Sequence, residues 1–246
     1  NRTMLTIIGI FLILLIGILY ILYRQSQLNA DKKLLTLEQS MLRSQMNPHF
    51  LFNSLNSIKL YIINNEKKNA VHYLNKFSKL VRKILEASSQ REISLADELE
   101  TVELYMNIEN IRFSNEINFN IHIKDDIDTH NIKIPSLILQ PFLENALWHG
   151  LSSKDGSKNI DLEIKKGKNG FIEIVITDNG VGRDAAEKIK DNKLLKRKSV
   201  GIDITKERLA NFSRDYENYF HVDIIDKFDD NTKPIGTQIV IYIPTI

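Results

Sequence analysis

The sequence predicts an α+β chain in which a transmembrane helix and a helical hairpin precede a two-layer α/β sandwich. Three observations support this: one long uncharged run near the start, two stretches of apolar residues at helical spacing, and later stretches in which apolar and polar residues alternate. The composition is that of folded protein. Of 246 residues, 43% are hydrophobic and 26% charged, and 10 Gly with 5 Pro leave little room for long disordered linkers. Lys and Arg number 33 against 31 Asp and Glu, a net charge of +2, which argues against direct nucleic-acid binding through a strongly basic domain. The absence of cysteine excludes disulfides, thiol nucleophiles and cysteine-ligated zinc. Chemistry must come from His, carboxylates, amides and backbone.

Residues 1–23 hold the membrane helix. Met4 to Tyr23 reads MLTIIGIFLILLIGILYILY, with no charge. At about 1.5 Å per residue this helix is roughly 30 Å long, one bilayer core. It is too long for a typical signal-peptide core, and no small-residue cleavage site lies after it. Tyr20 and Tyr23 suit an interfacial belt, and Arg24, Lys32 and Lys33 put the remainder of the chain on the cytoplasmic side of an inner membrane, with Arg2 a small counterweight. Because the first residue is Asn rather than Met, a further input region is expected upstream.

Residues 24–46 read as a helix continuing out of the membrane. Leu28, Leu35 and Leu42 fall seven apart, with Leu34, Leu37 and Met41 on a neighbouring stripe, a short coiled-coil linker. Residues 47–90 form the hairpin. Leu51, Leu55, Ile58 and Ile62 keep helical spacing, the polar run from Asn64 to Asn69 breaks it, and Leu74, Phe77, Val81 and Ile84 resume it. Two such arms bury little alone, so a homodimer whose hairpins form a four-helix bundle is expected.

Residues 91–246 form the sandwich. Ser94 and Asp97 have capping-box spacing, and Leu95 to Phe113 reads as a helix whose many acids make a solvated face. Ile117, Phe119, Ile121 and Ile123 then alternate with polar residues as a half-buried strand, and Ile160, Leu162 and Ile164 repeat the pattern. Asn169-Gly170 is a hairpin turn into a third strand, Phe171 to Thr177. Pro135 to His149 and Ile202 to Tyr216 read as helices, and Val222 to Ile225 and Thr237 to Ile243 as closing strands. Helices and a mixed sheet in this order make two layers.

The P-loop, H-E-x-x-H and G-x-G-x-x-G signatures are absent. Three other constellations stand out. Asp178-Asn179-Gly180-Val181-Gly182 comes after the apolar strand, placing a carboxylate at a strand end beside glycines that let backbone approach a ligand, although a tight turn alone would look the same. Glu144 and Asn145 lie on a largely apolar helix, LQPFLENALWHG, where an unpartnered amide would be costly; they either bind something or form a helix-end network capped by Gly150. His49, in MNPHFLFN, is a competent phosphoryl acceptor when neutral, or else an exposed residue in the first turn of a helix that Asn47 caps and Pro48 starts.

MNPHFLFNSLNSI, LQPFLENALWHG, TDNGVG, SVGIDITKERL and GTQIVIYIP resemble, in order and spacing, the sensor histidine kinases of the LytS/YehU-like branch, whose ATP domain has the GHKL (Bergerat) fold. The likeness runs from about Leu34 to the C-terminus. It implies that His49 accepts the γ-phosphoryl group of ATP and that the group then passes to an aspartate of a response regulator, commonly of the LytTR type in this branch. It implies further that Asn145 ligates Mg²⁺, that Asp178 accepts from the adenine amino group, and that Gly180, Gly182 and Gly201 lie along the nucleotide. The same resemblance implies that Gly236 and Thr237 support the adenine pocket, with Glu144 and His149 as further pocket residues.

Two departures from the wider superfamily matter. Many histidine kinases carry an acid directly after the phosphorylated His, whereas Phe50 stands here. Asn53, one turn on, can hydrogen-bond to His49 but cannot act as a carboxylate base. The ATP-hydrolysing relatives place a catalytic Glu where this chain has Pro141, which favours transfer over hydrolysis. Two other readings therefore remain: a nucleotide-responsive scaffold in which His49 is not phosphorylated, and a membrane-tethered ATPase. The basic run from Lys188 to Lys198 is either a solvated face or part of a mobile ATP lid.

Overall fold

The computed structural model describes residues 13–25, 27–28, 48–124, 127–168, 170–183, 200–213, 220–230 and 232–244. The chain divides into two compact units, residues 1–51 and 52–246. In the first, residues 13–25 are helical with their apolar side chains exposed. Among the described residues no helix is long and apolar enough to cross a membrane. The expected span starts at Met4, and its residues 4–12 lie outside the described residues, as do most of the coiled-coil linker, Asn47, Asn169 and the basic run Lys188–Lys198.

The hairpin is present. Helix α1 (Pro48–Ile63) begins at the proline, which the first turn of a helix tolerates because its missing N–H would have no partner there, and α2 (Lys67–Ser88) comes after a short turn in which Asn65 takes a positive φ of 63°. The buried stripe differs from the expected one. Ile58, Tyr73, Leu80 and Ile84 are buried, whereas Leu55, Ile62 and Leu74 stay exposed. Helix α3 (Leu95–Arg112) explains the change, because it packs along α2 and takes one of its faces. Lys83 reaches both Asp97 and Glu100 across that contact.

The Ser94 cap is as expected: its Oγ accepts from the Asp97 N–H at 3.1 Å, after the short strand β1 (Glu92–Ser94). The solvated acidic face is not. Glu98 and Glu109 are fully buried, and each has found a partner that explains how a carboxylate can stay there.

Five strands form the main sheet: β2 (Ile117–Ile123), β4 (Lys158–Lys166), β5 (Phe171–Asp178), β6 (His221–Phe228) and β7 (Pro234–Pro244), in the order β2-β4-β5-β7-β6. A separate pair joins β1 to β3 (Lys133–Pro135). Among the described residues, β2 and β4 are the pair that runs parallel in the main sheet, the other pairs being antiparallel. A parallel pair needs a crossover, and here it carries α4 (Gln140–Asn145) and a π-helical turn (Ala146–Leu151) over one face of the sheet. The helix expected over Pro135 to His149 therefore starts later, at Gln140, and runs on past His149. Helix α5 (Val200–Ser213) packs against α4, β3 and β7. Between the layers lie Ile160, Leu162, Ile164, Ile174, Ile241 and Ile243 from the strands, with Phe142, Leu143, Leu147 and Leu209 from the helices, all fully buried.

Candidate functional site

The last residue of β5 is Asp178. Its register partners are Ile160 on β4 and Thr237 on β7, so it sits between two strands at the sheet end and is buried. Burial raises its pKa, while backbone donors at Gly180 and Thr237 and the charges of Lys154 and Lys227 pull it down. Gly180 N–H donates to Asp178 Oδ1 at 2.7 Å. A carboxylate offers about four lone-pair positions, so acceptor capacity is left for a ligand donor.

The glycines around Asp178 are required by the protein's own backbone. A Cβ on Gly180 would stand 2.5 Å from Gly150 Cα, and one on Gly236, whose φ is 147°, 2.0 Å from the Asp178 carbonyl oxygen. Gly182, with φ 82°, faces the ring of Pro234, whose Cβ would stand 2.5 Å from an added Cβ. The expected freedom to approach a ligand is thus used first to fold the 178–182 loop onto β7 and the π-turn. Val181 N–H donates to the Gly150 carbonyl at 3.0 Å, which joins the loop to the end of that turn. Asn179 fastens the other side, accepting from Asn159 N–H at 2.9 Å and donating to the Ser157 carbonyl.

Asn145 ends α4 and starts the π-turn, with Trp148, His149 and Gly150 next along it. A π-helix is rare and geometrically poor, occurs mostly as single turns at functional sites, and needs contacts from outside. Gly150 has them at one end, from Gly180 and Val181. In its middle Trp148 packs on Phe113 with ring centroids 5.4 Å apart, and the Arg112 guanidinium lies over its indole at 4.4 Å.

A polar cluster runs beneath. Arg112 donates to both oxygens of buried Glu109, at 3.0 and 2.9 Å. Glu144 accepts from Gln140 Nε2 at 2.9 Å and from the hydroxyl of Tyr105, whose oxygen in turn accepts the Trp148 indole N–H. Burial pushes both carboxyls above the usual range, against the Arg112 charge at Glu109 and the Gln140 and Tyr105 donors at Glu144. The same carboxylates, after burial, drive the Tyr105 phenol upward.

A second buried acid holds the start of α4. Glu98 accepts the backbone N–H groups of Leu137 and Leu139, each at 2.8 Å, fixing a turn in which Leu137 takes a φ of 53°. Burial pushes its pKa up to about 7, although those donors and the Arg208 charge oppose this. Arg208, on α5, donates to the Ser136 carbonyl and Oγ, so Glu98 and Arg208 tie α3, the approach to α4, and α5 together.

The structure therefore gathers Asp178, Gly180, Gly182, Gly236 and Thr237 at one end of the sheet, with Glu144, Asn145, His149 and Gly150 on the crossover joined to it. Gly201 is in the first turn of α5. His49 is in the first turn of α1 and belongs to the first unit; Asn53 is on the next turn. Sequence reasoning missed Glu98, Glu109, Arg112 and Tyr105. Acids on a helix without compensating bases were the available signal, and they read equally as a wet face.

Among the described residues no group of three or more His, Asp or Glu could hold a metal ion.

Residues 37–117 match the family described as histidine kinase. The sensor histidine kinase/phosphatase LytS of Staphylococcus aureus strain MRSA252 is 34% identical over 153 residues, which is 62% of this chain and 26% of LytS. The protein of the same name from strain Mu50 is 33% identical over the same shares. The chain thus spans about a quarter of the length of the curated relatives it matches. Among solved structures, the histidine kinase domain of the Erythrobacter litoralis EL346 blue-light activated histidine kinase is similar at 16% identity and a TM-score of 0.45, covering 86% of this chain and 93% of that one. The stretch that matches the histidine kinase family includes His49, and 153 residues of the chain are similar to the LytS sensor histidine kinases.

Proposed function

We propose that the chain is the kinase part of a membrane-anchored sensor histidine kinase, which phosphorylates its own His49 from ATP and hands the phosphoryl group to an aspartate of a response regulator. The observation that carries this reading is a single junction: a buried acceptor-only carboxylate, Asp178, closed against the turn after Asn145 through Gly150 and Gly180. Such a carboxylate suits the exocyclic amino group of adenine, which needs an acceptor in a dry pocket. Asn145 would hold Mg²⁺, whose charge offsets that of the phosphates. Gly182, Gly201, Gly236, Thr237, Glu144 and His149 would line the remainder.

At His49 the ring nitrogen carrying the lone pair attacks the γ-phosphorus as the bond to the β,γ-bridging oxygen breaks; the other nitrogen keeps its proton. Phe50 is the residue after His49, so no adjacent acid orients the ring. Asn53 would do so by hydrogen bonding. The exposed apolar side of the hairpin, with Phe52, Leu55, Ile62, Val71, Leu74 and Leu85, would be covered by a second copy. Anchoring at the cytoplasmic membrane rests on the run from Met4 to Tyr23, and a LytTR-type regulator on the family likeness.

The test is transfer of label from γ-labelled ATP in the presence of Mg²⁺. Wild type should be labelled, and His49→Gln and Asp178→Asn should not, the latter because it no longer holds nucleotide. Equal labelling of His49→Gln would end the reading, and sustained phosphate release without any phosphoprotein would favour the ATPase instead.

A further inference from the structure

The π-turn after Asn145 is held at one end by the 178–182 loop. Its middle, at Trp148, is held by α3, through residues that no nucleotide-site motif includes. Arg112 closes that helix, where a cation also complements the helix dipole. Its guanidinium is fixed by buried Glu109 and lies over Trp148, 4.4 Å from the ring centroid. Phe113, the next residue, meets the same indole. The indole N–H then goes to Tyr105, and the Tyr105 hydroxyl to Glu144, the neighbour of Asn145. Both ends of the segment Glu144–Trp148 are thereby fastened to α3.

We propose that Arg112 is a positioning residue for the metal side of the nucleotide site, acting through its stack on Trp148 to fix the turn that presents Asn145. This rests on the reading of Asn145 as the Mg²⁺ ligand. Magnesium demands near-ideal octahedral geometry, so a displaced ligand loses much of its value, whereas Asp178, at the adenine end, is the last residue of β5 and meets the π-turn at Gly150, two residues past the Arg112–Trp148 stack. The device has a physical logic. A π-turn is geometrically poor by itself, and a half-buried Arg paired with a buried Glu and stacked on an aromatic face has fewer orientations open to it than apolar packing leaves.

Tyr73 of α2 is buried, and burial raises its phenol, against hydrogen bonds from Ser54 and Ser57 and with a smaller rise from the charge of Glu109.

The test compares binding of a β,γ-nonhydrolysable ATP analogue to the full chain with Mg²⁺ and with EDTA. In wild type Mg²⁺ should tighten binding. In Arg112→Gln that gain should shrink about tenfold, while affinity in EDTA stays within about twofold of wild type. Arg112→Lys, which keeps the charge on Glu109 but not the planar stack, should lose about threefold. Trp148→Leu should reproduce the loss, and the double variant Arg112→Gln/Trp148→Leu should add little to either, since the two act through one contact. An unchanged Mg²⁺ gain in folded Arg112→Gln and Arg112→Lys would overturn the assignment and leave the Asn145 reading intact. Absence of any Mg²⁺ gain in wild type would instead remove Asn145 as a ligand, and this inference with it. Equal weakening with Mg²⁺ and EDTA would show that Arg112 only supports the fold, which also overturns it.

Discussion

The hairpin and the sandwich handle their apolar residues in opposite ways. In the sandwich every large aliphatic side chain on the inner face of β4 and β5 is closed off, Leu162 and Ile174 completely. On the hairpin Phe52 is 68% exposed, Leu55 53% and Leu74 46%. The inner face of β4 and β5 is covered within this chain, although β6 and β7 leave Ile225, Phe228 and Ile235 exposed, and the hairpin is covered on the side where α3 packs. The sheet interior is therefore judged by its own stability, and the proposed pairing of hairpins by association.

The largest effect is expected where the sandwich backbone is most tightly closed. A Cβ on Gly236 would meet the Asp178 carbonyl at 2.0 Å, on a backbone with φ 147° that L side chains rarely adopt. Gly236→Ala should cost more than about 3 kcal/mol and abolish nucleotide binding, read by thermal melting and by retention on immobilised ATP. A variant that melts like wild type would break the view of the sandwich as closed by backbone contact.

Next comes Glu98. Its folded pKa of about 7 lies above its ordinary 4.5, so between these values the folded state holds more protons than the unfolded one. Stability contributed by this group therefore falls as pH rises from 4.5 to 7, by an amount on the order of 3 kcal/mol, and is lowest above pH 7. In Glu98→Gln this part of the slope should vanish, as measured by melting temperature across the same window. An unaltered slope would show that Arg208 and the two backbone donors keep Glu98 ionised throughout.

The smallest effect on a single chain belongs to the hairpin. Leu74→Glu should change monomer stability by less than about 1 kcal/mol, since Leu74 is already half exposed, yet weaken self-association about a hundredfold. Sedimentation at several concentrations decides it. Unchanged association would mean that something other than a second copy covers this face.

The readable parts of the sequence were the local ones. Alternation at Ile117–Ile123 and Ile160–Ile164 located strands, and Ser94 with Asp97 located a helix start, because each rests on neighbours in the chain. The start of α4 was misplaced because the group that holds the preceding turn open is Glu98, about 40 residues away. The π-turn was invisible for the same reason: its shape depends on Arg112 and on the 178–182 loop. At the site, the motifs named Asp178, Asn145 and the glycines, and of the two readings left open for the glycines, approach to a ligand or a tight turn, the packing of a tight turn is the one visible in the backbone. Glu98 and Glu109 looked solvated because partners on other elements cannot be read from one helix.

The most direct test of the central claim is the chemistry of the label that γ-labelled ATP leaves on the purified chain. A phosphohistidine at His49 predicts label lost in acid, stable in alkali, mapped to the peptide that contains MNPHFLFN, and absent from His49→Gln. Label that survives acid, or that maps to another residue, would contradict the account.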